Sequence, residues 1–231
     1  MAPEIRKVGV LGCGLMGSGI AQVAAGSGYA TVAREVEEAP LARGRSAIEK
    51  SLAKLVERNK LSPSDRDAAL ARLAFTTDLS ALADCDLVIE AVTEDLALKN
   101  RLWAELDARC PAHTIFASNT SSLTIGAMAA ATTRADRFVG LHFFNPVPLM
   151  PLVEVVRALT TSRETLERSL AFARSLGKET VVAKVRTERL VAHRAASSIA
   201  PVLFYGFEAV WRSSLFLERD DNEFSYCWSQ C

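Results

Sequence analysis

The sequence predicts an α/β fold built on a doubly wound, mostly parallel sheet. Short apolar runs of strand length alternate with longer segments whose apolar residues recur at helical spacing. Several of these runs are continuously apolar, which is typical of strands buried on both faces. The first run leads through a glycine-rich turn into a helical pattern. Strands that alternate with helices in this way form parallel sheets, so we expect one such sheet over most of the chain.

The first strand and helix are joined by glycines spaced G-x-G-x-x-G. The apolar run from Val8 to Leu11 leads directly into Gly12, Gly14 and Gly17. In this pattern the first glycine makes the turn, the second lets the backbone approach a pyrophosphate, and the third lets the helix pack tightly on the strand. The positive end of the helix then faces the phosphates. The alternative interpretation is a glycine-rich turn without a ligand.

An acidic residue follows this turn at the distance typical of dinucleotide-binding units. Glu35 ends the second apolar run, which extends from Tyr29 to Ala33. A carboxylate at this position accepts hydrogen bonds from ribose hydroxyls and repels a 2′-phosphate, which favours NAD over NADP. The neighbouring Arg34 argues in the other direction. The candidate cofactor-binding residues of this region are Gly12, Gly14, Leu15, Met16, Gly17 and Glu35.

The chain after Glu35 carries two helical patterns before the next strand. The first covers residues 40–60, and the second begins at a predicted cap, Ser62, and continues to Ala71. The further predicted elements are strands over 72–76, 85–92, 114–117, 138–142, 152–156 and 180–183, and helices over 98–109 and 164–176, the last closed by Gly177.

Polar and reactive residues are predicted to gather at one edge of this sheet. Ligands of doubly wound sheets bind beyond the carboxyl ends of the strands, in the loops that follow them. These loops contain the glycine turn, Glu94, residues 118–122 and residues 142–145. We therefore expect the chemistry of the protein at this edge.

The candidate proton-transfer pair is His142 and Glu154. An imidazole suits proton transfer near neutral pH, and a carboxylate bonded to one ring nitrogen fixes its tautomer. Alternatively, His142 is a hydrogen-bonded residue at a strand end and Glu154 a surface charge, although the apolar neighbours of Glu154 make an unpaired acid costly there. Ser121 and Asn145 either donate hydrogen bonds near the reacting oxygen or the nicotinamide amide, or are ordinary loop residues.

Composition limits the number of domains and the classes of partner. A chain of 231 residues suits one large domain or one and a half. The 27 basic and 27 acidic residues form no basic block, which argues against nucleic acid or a membrane surface as the main partner. No apolar run is long enough to cross a bilayer, and M-A-P-E-I-R-K leaves no room for a signal peptide before the first strand. The five cysteines show no metal or redox spacing, so we expect reduced thiols, no metal site and a cytoplasmic protein.

Several motifs together resemble the L-3-hydroxyacyl-CoA dehydrogenase family. They are the glycine turn, D-L-V-I-E-A-V at 86–92, F-A-S-N-T-S-S-L at 116–123, G-L-H-F-F-N-P-V-P at 140–148 and L-V-E-V at 152–155. The likeness runs from about residue 6 to residue 184. It implies a Rossmann-type NAD-binding domain over residues 1–185. It also implies oxidation of an L-3-hydroxyacyl-CoA, such as 3-hydroxybutyryl-CoA, to the 3-ketoacyl-CoA with NAD, or the reverse reaction.

The resemblance also implies roles for individual residues. His142 is the implied base for the 3-hydroxyl proton, Glu154 its orienting partner, and Ser121 a hydrogen-bonding partner of the substrate oxygen. The residues implied to line the nicotinamide and ribose are Glu94, Lys99, Asn119 and Asn145. The helix after the second strand contacts the CoA arm in the family, which implies that Ser51 and Arg58 bind the substrate.

The resemblance ends near Lys184. The family continues with a segment like D-T-P-G-F-x-x-N-R and a helical domain that makes the dimer and covers the acyl chain. This chain reads K-V-R-T-E-R-L-V-A-H-R over 184–194, with Ala192, or His193 after a one-residue shift, in place of the asparagine. We expect residues 186–231 to form a short, divergent helical segment, with an amphipathic helix from Leu203 to Leu217, as a remnant of that domain.

Three hypotheses about function remain at this point. The first is an active NAD-dependent dehydrogenase acting on an acyl-CoA thioester, which the joint presence of Ser121, His142, Glu154 and Asn145 favours. The second is a non-catalytic protein that binds NAD or acyl-CoA. The third is a truncated chain that needs a full-length partner. Ala192 and the missing domain favour the second and third hypotheses, and they put the family's homodimer in doubt.

Overall fold

The computed structural model describes residues 4–121, 123–184, 217–220 and 223–226 of the chain. In chain order the helices and strands are β1 (Lys7–Leu11), α1 (Leu15–Gly26), β2 (Ala30–Arg34), α2 (Glu38–Glu57), α3 (Pro63–Ala71), β3 (Leu73–Thr76), β4 (Leu87–Glu90), α4 (Leu96–Arg109), β5 (Ile115–Ser118), α5 (Ile125–Ala129), β6 (Phe138–Phe143), β7 (Leu152–Arg157), α6 (Arg163–Ser175), β8 (Glu179–Lys184), β9 (Leu217–Asp220) and β10 (Glu223–Tyr226). Two short 3₁₀ turns cover Leu79–Leu82 and Ala135–Arg137.

Strands β1 to β8 form one eight-stranded sheet in the order β3-β2-β1-β4-β5-β6-β7-β8. All neighbouring strands in it run parallel except β6 and β7, which are antiparallel. The strand order reverses direction between β1 and β4, and a reversal of this kind opens a crevice at the carboxyl ends of the two strands. The predicted doubly wound, mostly parallel sheet is therefore confirmed.

Successive strand residues point to opposite faces of the sheet, and apolar clusters cover both faces. In β4, Leu87 and Ile89 belong to one apolar cluster, whereas Val88 belongs to another on the opposite face. The second cluster centres on Trp103 of α4, whose ring centroid lies 4.9 Å from each of the rings of Phe116 and Phe138. Continuously apolar strands such as β4 follow directly from this double burial.

The helix boundaries follow their capping residues. Ser62 accepts a hydrogen bond from the backbone N–H of Asp65 at 3.0 Å and starts α3, as predicted. Asp95 accepts one from Leu98 N–H at 3.0 Å, so α4 begins two residues before the predicted start at Leu98. The five-residue α5 was not predicted, because it is too short for a helical pattern to stand out.

The predicted C-terminal helical segment is described only in part. Strands β9 and β10 pair antiparallel, so these residues are extended rather than helical. Leu217, the last residue of the predicted amphipathic helix, begins β9. The remainder of that helix, with Ala192 and His193, lies outside the described residues.

Candidate functional site

The loops that follow β4, β5 and β6 meet at the carboxyl edge of the sheet. Thr120 Oγ1 donates a hydrogen bond to Glu94 Oε2 at 3.0 Å and joins the first two loops. Asn119 Oδ1 accepts one from Phe143 N–H at 2.8 Å and ties the β5 loop to the end of β6. The glycine turn follows β1, the neighbour of β4, so the expected gathering of polar residues at this edge is confirmed.

The glycine turn between β1 and α1 has the geometry that its spacing predicts. Gly12 has φ of +95°, and its N–H donates to Arg34 O at 2.8 Å. A Cβ atom on Gly17 would lie 1.8 Å from Gly12 O, so the helix approaches the turn too closely for any side chain. A Cβ atom on Gly14 would meet no atom within 4 Å, and Gly14 is exposed. The space above Gly14 is therefore open for a ligand.

The start of α1 supplies hydrogen-bond donors to this space. Gly14 is the N-cap residue, no side chain caps the helix, and its first turn carries no acidic residue. The first N–H groups of a helix have no partner within the helix, and they carry its partial positive charge. Leu15 is exposed and Met16 is partly exposed beside them. Open room above a glycine and an uncapped helix start fit the pyrophosphate of a dinucleotide.

The carboxylate of Glu35 is held against the glycine turn. Its Oε2 accepts a hydrogen bond from Cys13 N–H at 2.9 Å, and its Oε1 accepts one from Val36 N–H at 2.8 Å. Each carboxylate oxygen has a further lone pair with which to accept a ribose hydroxyl. The Nε atom of Arg34 donates to Thr77 O at 3.2 Å, which ties this guanidinium to the segment after β3.

His142 and Glu154 face each other across the antiparallel pair of β6 and β7. They are register partners in the ladder, and their Nδ1 and Oε2 atoms lie 3.2 Å apart. Both side chains are partly buried, and the ring of Phe144 packs 4.6 Å from the imidazole. An ionised carboxylate only accepts hydrogen bonds, so a hydrogen bond to it places a proton on Nδ1, and in a neutral ring Nε2 then has a free lone pair. The chain between them folds back, so that β7 pairs with β6 and Glu154 lies opposite His142.

A buried network lies directly below this edge. Glu90, at the end of β4, is fully buried and accepts hydrogen bonds from Ser118 Oγ at 2.6 Å and from Val92 N–H at 2.7 Å. Lys99 of α4 is also buried, and its Nζ lies 3.0 Å from Glu90 Oε1 and 3.2 Å from Glu94 Oε2. Lys99 therefore lies beneath the edge, and its exposed neighbour toward the ligand side is Glu94.

Sequence reasoning missed Glu90 and Ser118 as members of this site. The available signal was a carboxylate inside an apolar strand, since such a residue needs a buried partner. That partner is Lys99, nine residues further along the chain.

The other predicted site residues lie in the loops after β5 and β6 and on the second helix. Ser121 and Asn145 are exposed in the loops after β5 and β6. On the second helix, Ser51 is half-buried and Lys54 is exposed, and Arg58 is exposed directly after the end of α2. The implied contacts of these residues and of Asn119 with ligands stay predictions.

His113 lies away from this edge. His113 Nε2 pairs with Asp86 Oδ1 at 3.2 Å, before the start of β4. Asp86 also accepts hydrogen bonds from Arg6 N–H and Lys7 N–H, at 2.8 and 2.9 Å. Burial opposes ionisation of Asp86, but these hydrogen bonds and His113 outweigh it and hold the pKa of Asp86 below its usual value.

The described part of the chain holds no group of three or more His, Cys, Asp or Glu side chains placed to bind a metal ion. Cys13, Cys85 and Cys110 are buried free thiols. None of the described helices combines the length and apolarity that a membrane span requires.

Comparison with known proteins gives consistent matches over this region. A family model described as 3-hydroxyacyl-CoA dehydrogenase, NAD binding domain, matches residues 7–186. A 3-hydroxybutyryl-CoA dehydrogenase of Mycobacterium tuberculosis is 49% identical over 183 residues, which cover 78% of this chain and 64% of that protein. The human mitochondrial hydroxyacyl-coenzyme A dehydrogenase is 46% identical over 186 residues, which cover 78% of this chain and 59% of that protein. The chain therefore spans less than two thirds of the length of these relatives.

Solved structures agree with the sequence matches. The crystal structure of the (S)-3-hydroxybutyryl-CoA dehydrogenase PaaH1 from Ralstonia eutropha superposes with a TM-score of 0.78 at 39% sequence identity. The superposition covers 84% of this chain and 70% of that one.

Proposed function

The chain belongs to the 3-hydroxyacyl-CoA dehydrogenase family, over its NAD-binding domain, and from this premise we propose that it interconverts an L-3-hydroxyacyl-CoA and the 3-ketoacyl-CoA with NAD. The observation that carries the proposal is the pairing of His142 with Glu154 at the edge that also bears the glycine turn. A base, a dinucleotide loop and an acidic ribose partner on one edge are the parts that hydride transfer from an alcohol requires.

His142 accepts the proton that the substrate releases in the oxidation. In the oxidation, Nε2 accepts the proton of the 3-hydroxyl group while the C3–H bond breaks and the C3–O bond becomes a carbonyl. Bound NAD supplies the acceptor for the hydride that leaves C3. Glu154, hydrogen-bonded to Nδ1, stabilises the imidazolium that forms and keeps the ring oriented. Ser121, exposed in the β5 loop, donates a hydrogen bond to the substrate oxygen.

The cofactor is held by two regions of the sheet edge. The turn of Gly12, Gly14 and Gly17 receives the pyrophosphate, and Glu35 accepts the ribose hydroxyls of the adenosine half. Around the nicotinamide half, Glu94 presents a carboxylate from the β4 loop, while Asn119 and Asn145 line the β5 and β6 loops. Lys99 is buried beneath the nicotinamide half and acts through its contact with Glu94.

The phosphates of the acyl-CoA arm are placed along α2. Lys54 is exposed on this helix, Arg58 follows its last turn, and Ser51 adds a hydroxyl nearby. Exposed cations near a hydroxyl are suited to phosphate groups. The relatives named above act, by their names, on 3-hydroxybutyryl-CoA and hydroxyacyl-CoA, which agrees with a thioester substrate of this class.

The test is NADH oxidation with acetoacetyl-CoA beside a fluorescence titration of NADH binding. We expect turnover by the wild type, and a fall in kcat of about 10²–10⁴-fold in His142→Ala, the usual contribution of a general base. NADH binding in His142→Ala should stay close to wild type. His113→Ala is the matched control, because His113 pairs with Asp86 before β4, away from the ligand edge. NADH binding without turnover in the wild type would show a non-catalytic binding protein instead.

A further inference from the structure

We propose that Glu90 is a positioning residue of the cofactor site. It holds the Glu94 carboxylate in position through the buried ammonium of Lys99. The inference rests on the proposed function, because it concerns how this edge of the sheet receives NAD. It goes beyond that function in giving a task to a carboxylate that no ligand touches.

Glu90 has the environment of a fixed anchor. Its side chain is 0% exposed at the last position of β4. Three donors from three segments converge on it, namely the Val92 N–H after β4, the Ser118 hydroxyl ending β5 and the Lys99 ammonium on α4. A buried carboxylate with this many donors holds one geometry, because each lost contact leaves a charge without compensation.

Lys99 transmits this geometry to the surface. Its side chain is 1% exposed and bridges the buried Glu90 and the 46% exposed Glu94. One oxygen of Glu94, Oε2, receives both Lys99 Nζ and Thr120 Oγ1. Within the described residues, the other oxygen of Glu94 makes no hydrogen bond, which leaves it to accept one from a ligand. Two carboxylates share one ammonium, so the charge of Lys99 is balanced by Glu90 as well as by Glu94.

The substitution Glu90→Gln isolates the charge of Glu90. The amide oxygen, in the place of Oε1, still accepts from Val92 N–H and faces Lys99. The amide nitrogen, in the place of Oε2, donates to the Ser118 hydroxyl after that hydroxyl rotates. The shape and the number of hydrogen bonds are retained, whereas Lys99 is left with Glu94 as its nearby carboxylate. We expect Glu94 to be drawn toward Lys99 and to bind the cofactor less well.

The matched control is Asp86→Asn. Asp86 lies directly before β4, at the end of the strand opposite to Glu90, and accepts hydrogen bonds from Arg6 N–H and Lys7 N–H. The control removes one partly buried carboxylate charge from the same strand, away from the ligand edge.

The experiment measures the NADH Kd by fluorescence and the Tm of the full chain for each variant. Glu90→Gln should raise the Kd by about tenfold, the size of one charge-assisted hydrogen bond, while Asp86→Asn should lower the Tm and leave the Kd unchanged. Glu90→Asp keeps the charge but withdraws it from Lys99, so it should raise the Kd by a smaller factor. This variant also tests the inference if Glu90→Gln does not fold.

A double-mutant cycle with Glu94→Gln separates positioning from general stability. If Glu90 acts through Lys99 and Glu94, adding Glu90→Gln to Glu94→Gln should produce no further rise in Kd. Additive effects on Kd, or an unchanged Kd in both the Gln and the Asp variants of Glu90, would overturn the inference and leave the proposed function intact. A wild type that does not bind NADH would overturn the proposed function and the inference together.

Discussion

At the scale of single residues, the structure holds the carboxylate of Glu35 against the glycine turn. Glu35 contacts the N–H groups of Cys13 and Val36, one with each oxygen. These contacts hold the negative charge beside the glycine turn, where the adenosine ribose of a bound dinucleotide lies. The adjacent Arg34 is hydrogen-bonded to Thr77 O, which weakens the argument that it serves a 2′-phosphate.

This arrangement makes a prediction for Glu35→Gln. An amide cannot accept from both N–H groups, and it carries no charge to repel a 2′-phosphate. We expect the NADH Kd to rise by about tenfold or more, as for the loss of a hydrogen bond to a charged group, and the preference for NADH over NADPH to shrink. Parallel fluorescence titrations with NADH and NADPH measure both effects.

Glu37→Gln is the control for this prediction. Glu37 lies two residues later, before α2, and its side chain makes no capping hydrogen bond. An equal loss of NADH binding in Glu37→Gln would show that Glu35 has no specific role in cofactor selection.

The sequence predicts residues whose position depends on nearby sequence, and it misses residues whose contacts come from distant parts of the chain. Glu35 follows from its spacing after the glycine turn, whereas His142 and Glu154 were inferred from their side-chain chemistry and from the family resemblance. Glu90 contacts Ser118 of β5 and Lys99 of α4. No local sequence pattern predicts contacts between three separate elements. Lys99 was expected beside the cofactor, and its burial between Glu90 and Glu94 could not be read from the sequence.

At the scale of elements, two glycines of the turn between β1 and α1 have different tasks: Gly17 is needed for the fold, and Gly14 leaves space for a ligand. Gly17 is required by the close approach of helix and turn, because its Cβ atom would lie 1.8 Å from Gly12 O. Gly14 has φ of −72°, a value that any residue adopts, and open space around it. Of these two residues, therefore, only Gly17 has a structural reason to be glycine in the free protein.

The two alanine variants should separate these requirements. We expect Gly17→Ala to destabilise the fold by about 1–3 kcal/mol or more, the usual cost of overpacking. Gly14→Ala should keep the wild-type Tm but bind NADH at least about tenfold more weakly, because the new methyl group occupies the space of the pyrophosphate. Thermal unfolding and NADH titration of both variants check this. Wild-type NADH affinity in Gly14→Ala would contradict a phosphate site at this turn.

The elements themselves were largely predictable, and their ends were less so. All eight strands of the main sheet were expected, because apolar runs bounded by polar turns are local features. Asp95 caps α4 and sets its start, and Asp86, predicted inside β4, lies just before it and accepts hydrogen bonds from Arg6 N–H and Lys7 N–H at the start of β1. Such side-chain contacts decide where an element begins or ends, and they depend on parts of the chain distant in sequence.

At the scale of the whole molecule, the order of the strands determines which loops meet. The parallel pairing of β1, β4, β5 and β6 was expected from the alternation of strands and helices. The sequence analysis left the direction of β7 open, and the structure shows it antiparallel to β6. That reversal is what brings Glu154 to His142.

The packing of the two faces also predicts the reactivity of the thiols. Burial is the main cause that raises the pKa of Cys13 and of Cys110 to about 11, and that of Cys85 to about 12. A raised pKa leaves these groups as protonated, unreactive thiols at pH 8. We expect iodoacetamide to leave all three unmodified in the native protein and to alkylate them in urea, where their pKa values return to the ordinary range. Peptide-level mass spectrometry identifies each site, and native labelling of Cys13 would contradict its burial under the glycine turn.

The antiparallel pairing of β6 and β7 has a consequence for how this protein tolerates change. His142 and Glu154 are register partners in one ladder, so their separation is set by the fixed spacing of adjacent strands rather than by the loop between them. We therefore expect insertions or deletions in that loop to leave the two side chains within hydrogen-bond distance. This loop can therefore change in length and sequence while the separation of the two strands stays the same.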